Sequence, residues 1–501
     1  MKTDNERASD SKGEESLTRR WSVDRRRVLK SITGVSTIAL AGCAGAGSRQ
    51  DDGPPPKEEG VKKWGERVNE YCREAGIDWQ QFEGTSLIFG MNVHPFTETT
   101  SELLSYFEEL TGISVQYNTF PEDQLWQKLT LDLNSETGVF DGFFLGLWPS
   151  ARYHDNGWVK DLNEFMNDSS LTNKDWYHME DYPESAINAY TYGDNNLVAL
   201  PFGIEAYGCL AYDQPTFETL GLEPPEDYPS MLEAAKTIHE SDEVDRAGIC
   251  SRASSTTLSS ANWATMFKSY DAEWLDYGAN EATLNSDQGI ASLEMFAEMM
   301  GNYGPSDIGT FDWYKSNQAF GNGQVGMCYH TPAAAGVFTD EQYERTEWIA
   351  PVPGPNGSQV ASTWEWGLGI SEYTNNPGAA WLLLQWLTCR PMNLLVSSKQ
   401  WQGIGDYGHA RSNWLFDQPE YQDRGQKQSW IEAHNKGMEM VPSDPPPVPL
   451  HTPQNMDIMT EAAIAMNAAV TDNKSTEQAL NDAAPKITEY AKQIPDEYLN
   501  Q

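Results

Sequence analysis

The chain has 501 residues and carries 34 Lys and Arg against 74 Asp and Glu, a formal net charge of −40. A surface of that sign repels nucleic acid and anionic lipid, so neither is expected as a partner. Eighteen Trp (18), 22 Tyr and 17 Phe supply core material that a disordered acidic chain lacks, and the acidity reads as the solvent adaptation of an extreme halophile, whose concentrated salt screens the repulsion.

At the N-terminus, Arg25-Arg26-Arg27-Val28-Leu29-Lys30 precedes an apolar run from Ile32 to Leu40 that ends in Leu40-Ala41-Gly42-Cys43. The run is shorter than the ~20 residues a helix needs to cross a bilayer. A basic front, a short apolar middle and a small-residue end make an export signal rather than structure. The paired arginines resemble a twin-arginine signal. Leu-Ala-Gly-Cys resembles a lipobox, which makes Cys43 the lipidated first residue of the mature protein. Residues 1–42 are therefore expected to be a twin-arginine lipoprotein signal peptide that leaves the protein anchored on the extracellular face of the membrane. Residues 43–60, rich in Gly, Pro and charge, are expected to be a flexible tether. The folded body should begin near Val61.

That body is longer than the ~250–300 residues one core usually fills, which suggests two domains. Besides Cys43 it holds Cys72, Cys209, Cys250, Cys328 and Cys389, an odd number without CxxC or His spacing. The spacing selects no disulfide, and the residues read as small buried hydrophobes.

From residue 84 the pattern alternates. Ser86 to Met91 has strand length, and 101–110 carries Leu103, Leu104, Phe107 and Leu110 at helical spacing. Thr100 or Ser101 is expected to cap that helix and Gly112 to end it. Ile113 to Tyr117 reads as a strand, 124–133 as a helix and Val139 to Leu147 as a strand. Further on, 291–300 and 379–388 read as helices and 324–329 as a strand, while the proline-rich 441–453 suits neither. Strand, helix, strand with short connections implies parallel strands and an α/β fold.

Several segments then carry a family likeness in one order along the chain. They are Glu102 to Val115, Val139 to Phe144, Asn156 to Leu162, Leu197 to Phe202 followed by Glu205, Asn317 to Met327, Pro351 to Pro355, and Gly367 to Ser371. Together they resemble the extracellular solute-binding proteins of sugar ABC importers, family 1, the maltodextrin-binding type. Ala247 to Arg252, Met327 to Val337 and Ser362 to Leu368 are similar to the sorbitol/mannitol-binding branch.

The resemblance implies a two-lobed, periplasmic-binding-protein-like α/β fold of type II, with a hinge and a ligand cleft between the lobes. It places lobe 1 at 61–203 plus 329–372 and lobe 2 at 204–328 plus 373–501. It also implies a monomeric receptor without cofactor or resident metal, which delivers a sugar or polyol to a membrane permease driven by an ATPase subunit.

A sugar presents apolar C–H faces, which aromatic rings cover, and hydroxyls, which planar polar side chains bond. On position within the family, Glu205 is the leading ligand-binding candidate. Trp364 and Trp366 alternate along a strand and share one face, so one or both are expected to stack on ligand. Trp148, Asn92 and His94 fall at cleft-edge positions, and His94 lacks companions for a metal site. Arg252 and Arg411 are candidates for bonding hydroxyls or pairing with Glu205. Tyr207, Trp263, Tyr329, His330 and Asp141 complete the set, Asp141 more as a support of the fold. After Met327 the chain reads Tyr329-His330-Thr331 where many oligosaccharide binders carry a stacking Trp, which favours a smaller sugar or polyol.

The rival reading is a lipid-anchored extracellular glycosidase using Glu205 and Glu365 as its carboxylate pair. No GxSxG, HExxH, GxxxxGK[ST] or GxGxxG motif accompanies it. Asn167, Asn356 and Asn473 begin N-x-S sequons.

Overall fold

A computed structural model describes residues 57–193, 195–398, 413–424, 426–441 and 452–499. Cys43 and Arg411 lie outside them, as does most of 441–453. Among the described residues the longer strands are, in chain order, β1 (Ser86–Asn92), β2 (Ser114–Phe120), β3 (Gly142–Gly146), β4 (Leu200–Tyr207), β5 (Cys209–Asp213), β6 (Ala247–Cys250), β7 (Val325–His330), β8 (Thr346–Ile349) and β9 (Ser362–Ile370). Five form a sheet in the order β2-β1-β3-β9-β4, and four a second sheet in the order β8-β5-β7-β6.

The first sheet begins as a parallel unit, since β1 pairs in parallel with β2 and with β3. Two helices, Pro95–Ser101 and Leu104–Thr111, make the crossover where one was expected. The break has a local cause. Thr100 Oγ1 donates to Phe96 O at 2.8 Å and Ser101 Oγ to Glu98 O at 2.8 Å, so both hydroxyls serve the first helix instead of capping the second. The second helix does end at Gly112, whose φ of 70° suits glycine.

β3 is shorter than the apolar run that encodes it. Asp132 accepts from the amides of Val139 at 2.9 Å and Phe140 at 3.1 Å, which holds that approach as a loop. The body also starts earlier than expected, with a helix at Lys57–Arg73 that buries Trp64, Val68 and Cys72. Val61, Trp64, Val68 and Cys72 recur at three or four residues, and this amphipathic stripe overrides the polar composition of its first turn.

The chain passes from the first sheet to the second at Gly208, between β4 and β5, where φ is 90°. It returns through 350–361, between β8 and β9. This moves the expected lobe boundaries. β4 remains on the first sheet through Tyr207, because it pairs with β9 from Leu200 onward. β7 to its end at His330, and β8, belong to the second sheet, so residues 329–349 do not join lobe 1. Helices Pro377–Thr388 and Arg390–Val396 pack on the first-sheet half, against β9 and helix Lys57–Arg73 respectively, so they do not join lobe 2.

The five described cysteines are all buried, and none of them forms a disulfide. No described helix is long and apolar enough to cross a membrane. The three sequon asparagines are exposed.

One buried charge cluster ties the second sheet together. Asp213, wholly buried at the end of β5, accepts from Arg345 Nε at 2.9 Å, Arg345 Nη2 at 3.0 Å and Arg246 Nη1 at 3.1 Å. It also caps the next helix by accepting from Thr216 N at 3.1 Å. Burial alone would raise its pKa, but Arg345, Thr216 and Arg246 outweigh it and hold the carboxyl below its usual value. Its stabilising contribution is therefore present above the unfolded-state pKa and lost as pH falls through the folded one. Asp213→Ala should destabilise the protein by ~3–5 kcal/mol, because it strands two guanidinium groups. Denaturant unfolding at neutral pH in molar salt measures this.

Candidate functional site

Where the crossing strands meet, nine side chains from both halves surround one pocket. From the first-sheet half come Asn92 at the end of β1, His94 just beyond it, Glu122 at the start of helix Glu122–Asn134, Glu205 and Tyr207 on β4, and Trp366 on β9. From the second-sheet half come Arg252, just after β6, and Trp313 and Tyr314, which open helix Trp313–Gly321. The pocket volume is about 20 Å3, which is room for roughly one water. The two halves stand closed over it. Tyr314 Oη donates to Val93 O at 2.6 Å, a contact between the halves at the pocket rim.

Strand alternation explains much of this convergence. Glu205 and Tyr207 are two apart on β4, so both face the pocket. Arg252, only 4 % exposed, donates from Nη2 to Tyr207 Oη at 3.0 Å and from Nη1 to Leu258 O at 3.5 Å. Its Nε meets His330 Nε2 at 3.3 Å, while His330 Nδ1 lies 2.9 Å from the Thr331 amide. Burial, reinforced by the Arg252 charge, holds His330 well below its usual pKa, so it is a neutral ring beside a fixed cation. Burial raises the Tyr207 hydroxyl strongly, and Glu205 and Glu122 push it the same way against Arg252.

His94 is oriented by its own helix. Its Nδ1 accepts from the Phe96 amide at 3.1 Å, which assigns the other ring nitrogen as the proton carrier. Its ring centroid lies 5.9 Å from that of Trp366 and 6.5 Å from that of Trp313. Asn92 is 3 % exposed, and its Oδ1 is a buried acceptor without a hydrogen-bond partner. The pocket thus offers a carboxamide, an imidazole, two carboxylates, a phenol, a guanidinium and aromatic rings.

Six of the residues proposed from sequence meet here: Glu205, Trp366, Asn92, His94, Arg252 and Tyr207. Others do not. Trp364 packs beneath Trp366, with ring centroids 4.9 Å apart, and lies against Trp148 at 5.6 Å; a shared strand face put it beside the pocket without lining it. Tyr329 meets Tyr228 hydroxyl to hydroxyl at 3.2 Å in the core. Trp263 packs on Phe267 and Trp274 and donates to Ser292 Oγ at 3.2 Å. Asp141 accepts from Ile88 N at 2.9 Å and from Asn376 Nδ2 at 3.3 Å, fastening β1 to the segment after β9.

Sequence reasoning missed Glu122, Trp313 and Tyr314. An acidic residue after Pro121 reads as a helix-dipole partner, and nothing marks Trp313-Tyr314 except nearness to the Asn317 motif.

The glycosidase pair does not assemble. Glu365 sits between Trp364 and Trp366 in sequence and so points to the opposite face of β9. It is 1 % exposed, its Oε2 has no hydrogen-bond partner, and Tyr190 and Tyr192 feel its charge. Burial raises its pKa well above the usual carboxyl value.

Two α/β sheets joined by crossing strands, with a polar and aromatic pocket at the crossing, define a hinged receptor for small solutes. The chain belongs to the bacterial extracellular solute-binding protein family, whose model matches residues 94–389. It is 27% identical over 335 residues to an erythritol/L-threitol-binding protein of Mycolicibacterium smegmatis, spanning 62% of this chain and 68% of that one. It is 24% identical over 395 residues to a probable amino-acid ABC transporter periplasmic-binding protein of Sinorhizobium fredii, spanning 77% and 84%. A solute-binding protein of Agrobacterium vitis solved with bound D-mannitol shares the fold at a TM-score of 0.72 and 21% identity, covering 82% of this chain and 100% of that one.

The raised Glu365 pKa has a sign that can be checked. A carboxyl that binds its proton more tightly when folded contributes stability below its unfolded-state pKa, and that contribution is lost as pH rises toward the folded value. Glu365→Gln should therefore raise the thermal midpoint at pH 8 and change it little near pH 4. Melting curves of both forms in the same salt decide it, and equal gains at the two pH values would contradict the burial account.

Proposed function

We propose that this protein captures a neutral sugar or polyol outside the cell and hands it to the permease and ATPase of an ABC importer. The carrying observation is the convergence at one interlobe pocket of Trp366 and Tyr207 with Asn92, His94, Glu205, Glu122 and Arg252. Rings cover the C–H face of such a ligand, while carboxylates accept and the guanidinium and imidazole donate to its hydroxyls. The names of relatives that bind erythritol, threitol or mannitol support the class.

The pocket of about 20 Å3 is too small for a four-carbon polyol as the halves stand. Ligand entry therefore requires them to part, and Gly208 and 350–361 are the segments that would turn. No covalent chemistry is assigned to the site. In the same reading the protein is a monomer, exported by the twin-arginine route, held by a lipid on Cys43 and working in concentrated salt.

The zwitterion of an amino acid is the other chemistry that Arg252 opposite Glu122 and Glu205 would suit, and one relative's name points there. Thermal melts of the full chain in molar salt, with polyols, sugars and amino acids, separate the two. A polyol or sugar at a hundred times its Kd should stabilise by ~2.7 kcal/mol. Glu205→Gln should weaken that binding by ~10–100-fold, the size of a hydrogen bond to a charged group. A shift with amino acids alone would replace the carbohydrate assignment.

A further inference from the structure

The fold sorts the five described cysteines, which spacing left unsorted, into two touching pairs and a remainder. Cys72 and Cys389 are hydrogen-bonded thiol to thiol, and so are Cys250 and Cys328. Cys209 turns instead to Ala433 O at 3.7 Å.

The two pairs differ in geometry. Cys250 and Cys328 stand at one register position of the parallel strands β6 and β7. Neighbouring strands lie ~4.8 Å apart, whereas a disulfide draws its Cβ atoms to ~3.8 Å and needs a dihedral of about ±90°. A bond there would pinch the ladder and pull the adjacent Met327–Ile249 pair with it.

Cys72 and Cys389 meet no such restraint. Cys72 is in the last turn of helix Lys57–Arg73, and Cys389 is the extended residue, φ −66° and ψ 162°, between helices Pro377–Thr388 and Arg390–Val396. One lies at a helix end and the other in a link, so each can rotate without breaking a ladder. Their approach is fixed one turn away. Three residues before each, Asn69 Oδ1 accepts from Trp386 Nε1 at 3.1 Å. Cys389 Sγ spends its one proton on Trp386 O at 3.2 Å, so its sulfur is the acceptor for the Cys72 thiol.

We propose that Cys72 and Cys389 are a modification site: outside the cell, a small-molecule disulfide oxidises them to a cystine that fastens helix Lys57–Arg73 to the first-sheet half. The proposal takes only the oxidising exterior from the reading above and does not depend on which solute is bound. One protein thiolate attacks the reagent R–S–S–R and expels R–S−; the second attacks the mixed disulfide at the protein sulfur and expels the other R–S−. Two protein thiols and one R–S–S–R become one protein disulfide and two R–SH. Burial, with the Cys389 contact adding to it, holds the Cys72 thiol well above its usual pKa, so the exchange runs when the helix lifts rather than in the closed packing. The helix follows the expected tether, and the loop that the bond closes is long, the case in which a cross-link restricts the unfolded chain most.

The test is a non-reducing peptide map of the full chain, exchanged in molar salt against oxidised glutathione with a trace of the reduced form, then denatured with N-ethylmaleimide present. The expected map joins the Cys72 peptide to the Cys389 peptide, lighter by two hydrogen atoms than their sum, and shows Cys250 and Cys328 alkylated apart. The thermal midpoint of this form should fall by ~3–8 °C on adding reductant. Cys72→Ala should melt at one temperature in both conditions, and Cys250→Ala should keep the linked peptide. Recovery of Cys72 and Cys389 alkylated, or joined to other cysteines, overturns the site. A linked pair whose reduction leaves the midpoint unchanged overturns the fastening.

Discussion

The antiparallel pairing of β4 with β9 is the constraint on which the rest depends. The two strands are bonded from Leu200–Leu368 to Tyr207–Ser362, and each leads directly to a passage between the sheets. One ladder therefore fixes where both passages leave the first sheet. It also fixes the faces. Alternation sends Glu205, Tyr207 and Trp366 to the pocket and Glu365 to the interior. A one-residue slip would exchange those sets, placing an ionisable carboxyl in the cleft and a tryptophan among Tyr190 and Tyr192. The register shift between Trp366 and Gly367 lies where the strand leaves the pocket for the core, so it leaves the facing of Trp366 intact.

Arg252 occupies an unusual electrostatic position for so acidic a chain. Burying a guanidinium is costly unless its donors are satisfied. Three of its contacts go to neutral groups, Tyr207, Leu258 and His330, while Glu205 and Glu122 act on the same Tyr207 hydroxyl. A cation held by neutral partners keeps N–H groups available in a fork whose position is set in advance. The contrast with Asp213 is instructive. There two guanidinium groups close directly on one carboxylate, and the result is a staple of the second sheet rather than a site.

Much of the fold was legible because its signals are local. The runs that begin at Ser86, Ile113 and Gln324, the helical spacing over 379–388 and the glycine stop at Gly112 all encode themselves. What failed was what depends on competition. Whether Thr100 caps forward or bonds back to Phe96, and whether Val139 joins β3 or is held by Asp132, depends on partners that spacing does not show. The site divided in the same way. Trp366, expected from strand alternation, and Glu205, expected from its place in the family pattern, both line the pocket. Trp364 met the same alternation rule and Trp148 was expected at the cleft edge, yet Trp364 packs against Trp366 and Trp148 against Trp364 without lining the pocket, since a shared face does not say which ring is outermost. Tyr329 and Trp263, which completed the candidate set, are absorbed by the core of the second half. Glu122, Trp313 and Tyr314 reach the pocket only because two distant segments are brought together, and no local pattern records that.

Closure links these features. The halves touch through Tyr314 with Val93 and Arg252 with Tyr207 at the pocket, and away from it through Arg152 with Asp457 and Pro453. The Tyr314 contact is a neutral hydrogen bond, and the Arg152 pair joins partly exposed groups and is worth little where salt is concentrated. Neither of these two contacts alone holds the halves together strongly. A ligand that touches Glu205, Tyr207 and Trp366 from one half and Arg252 from the other adds contacts that exist only in the closed form, and it can shift the balance by no more than that difference.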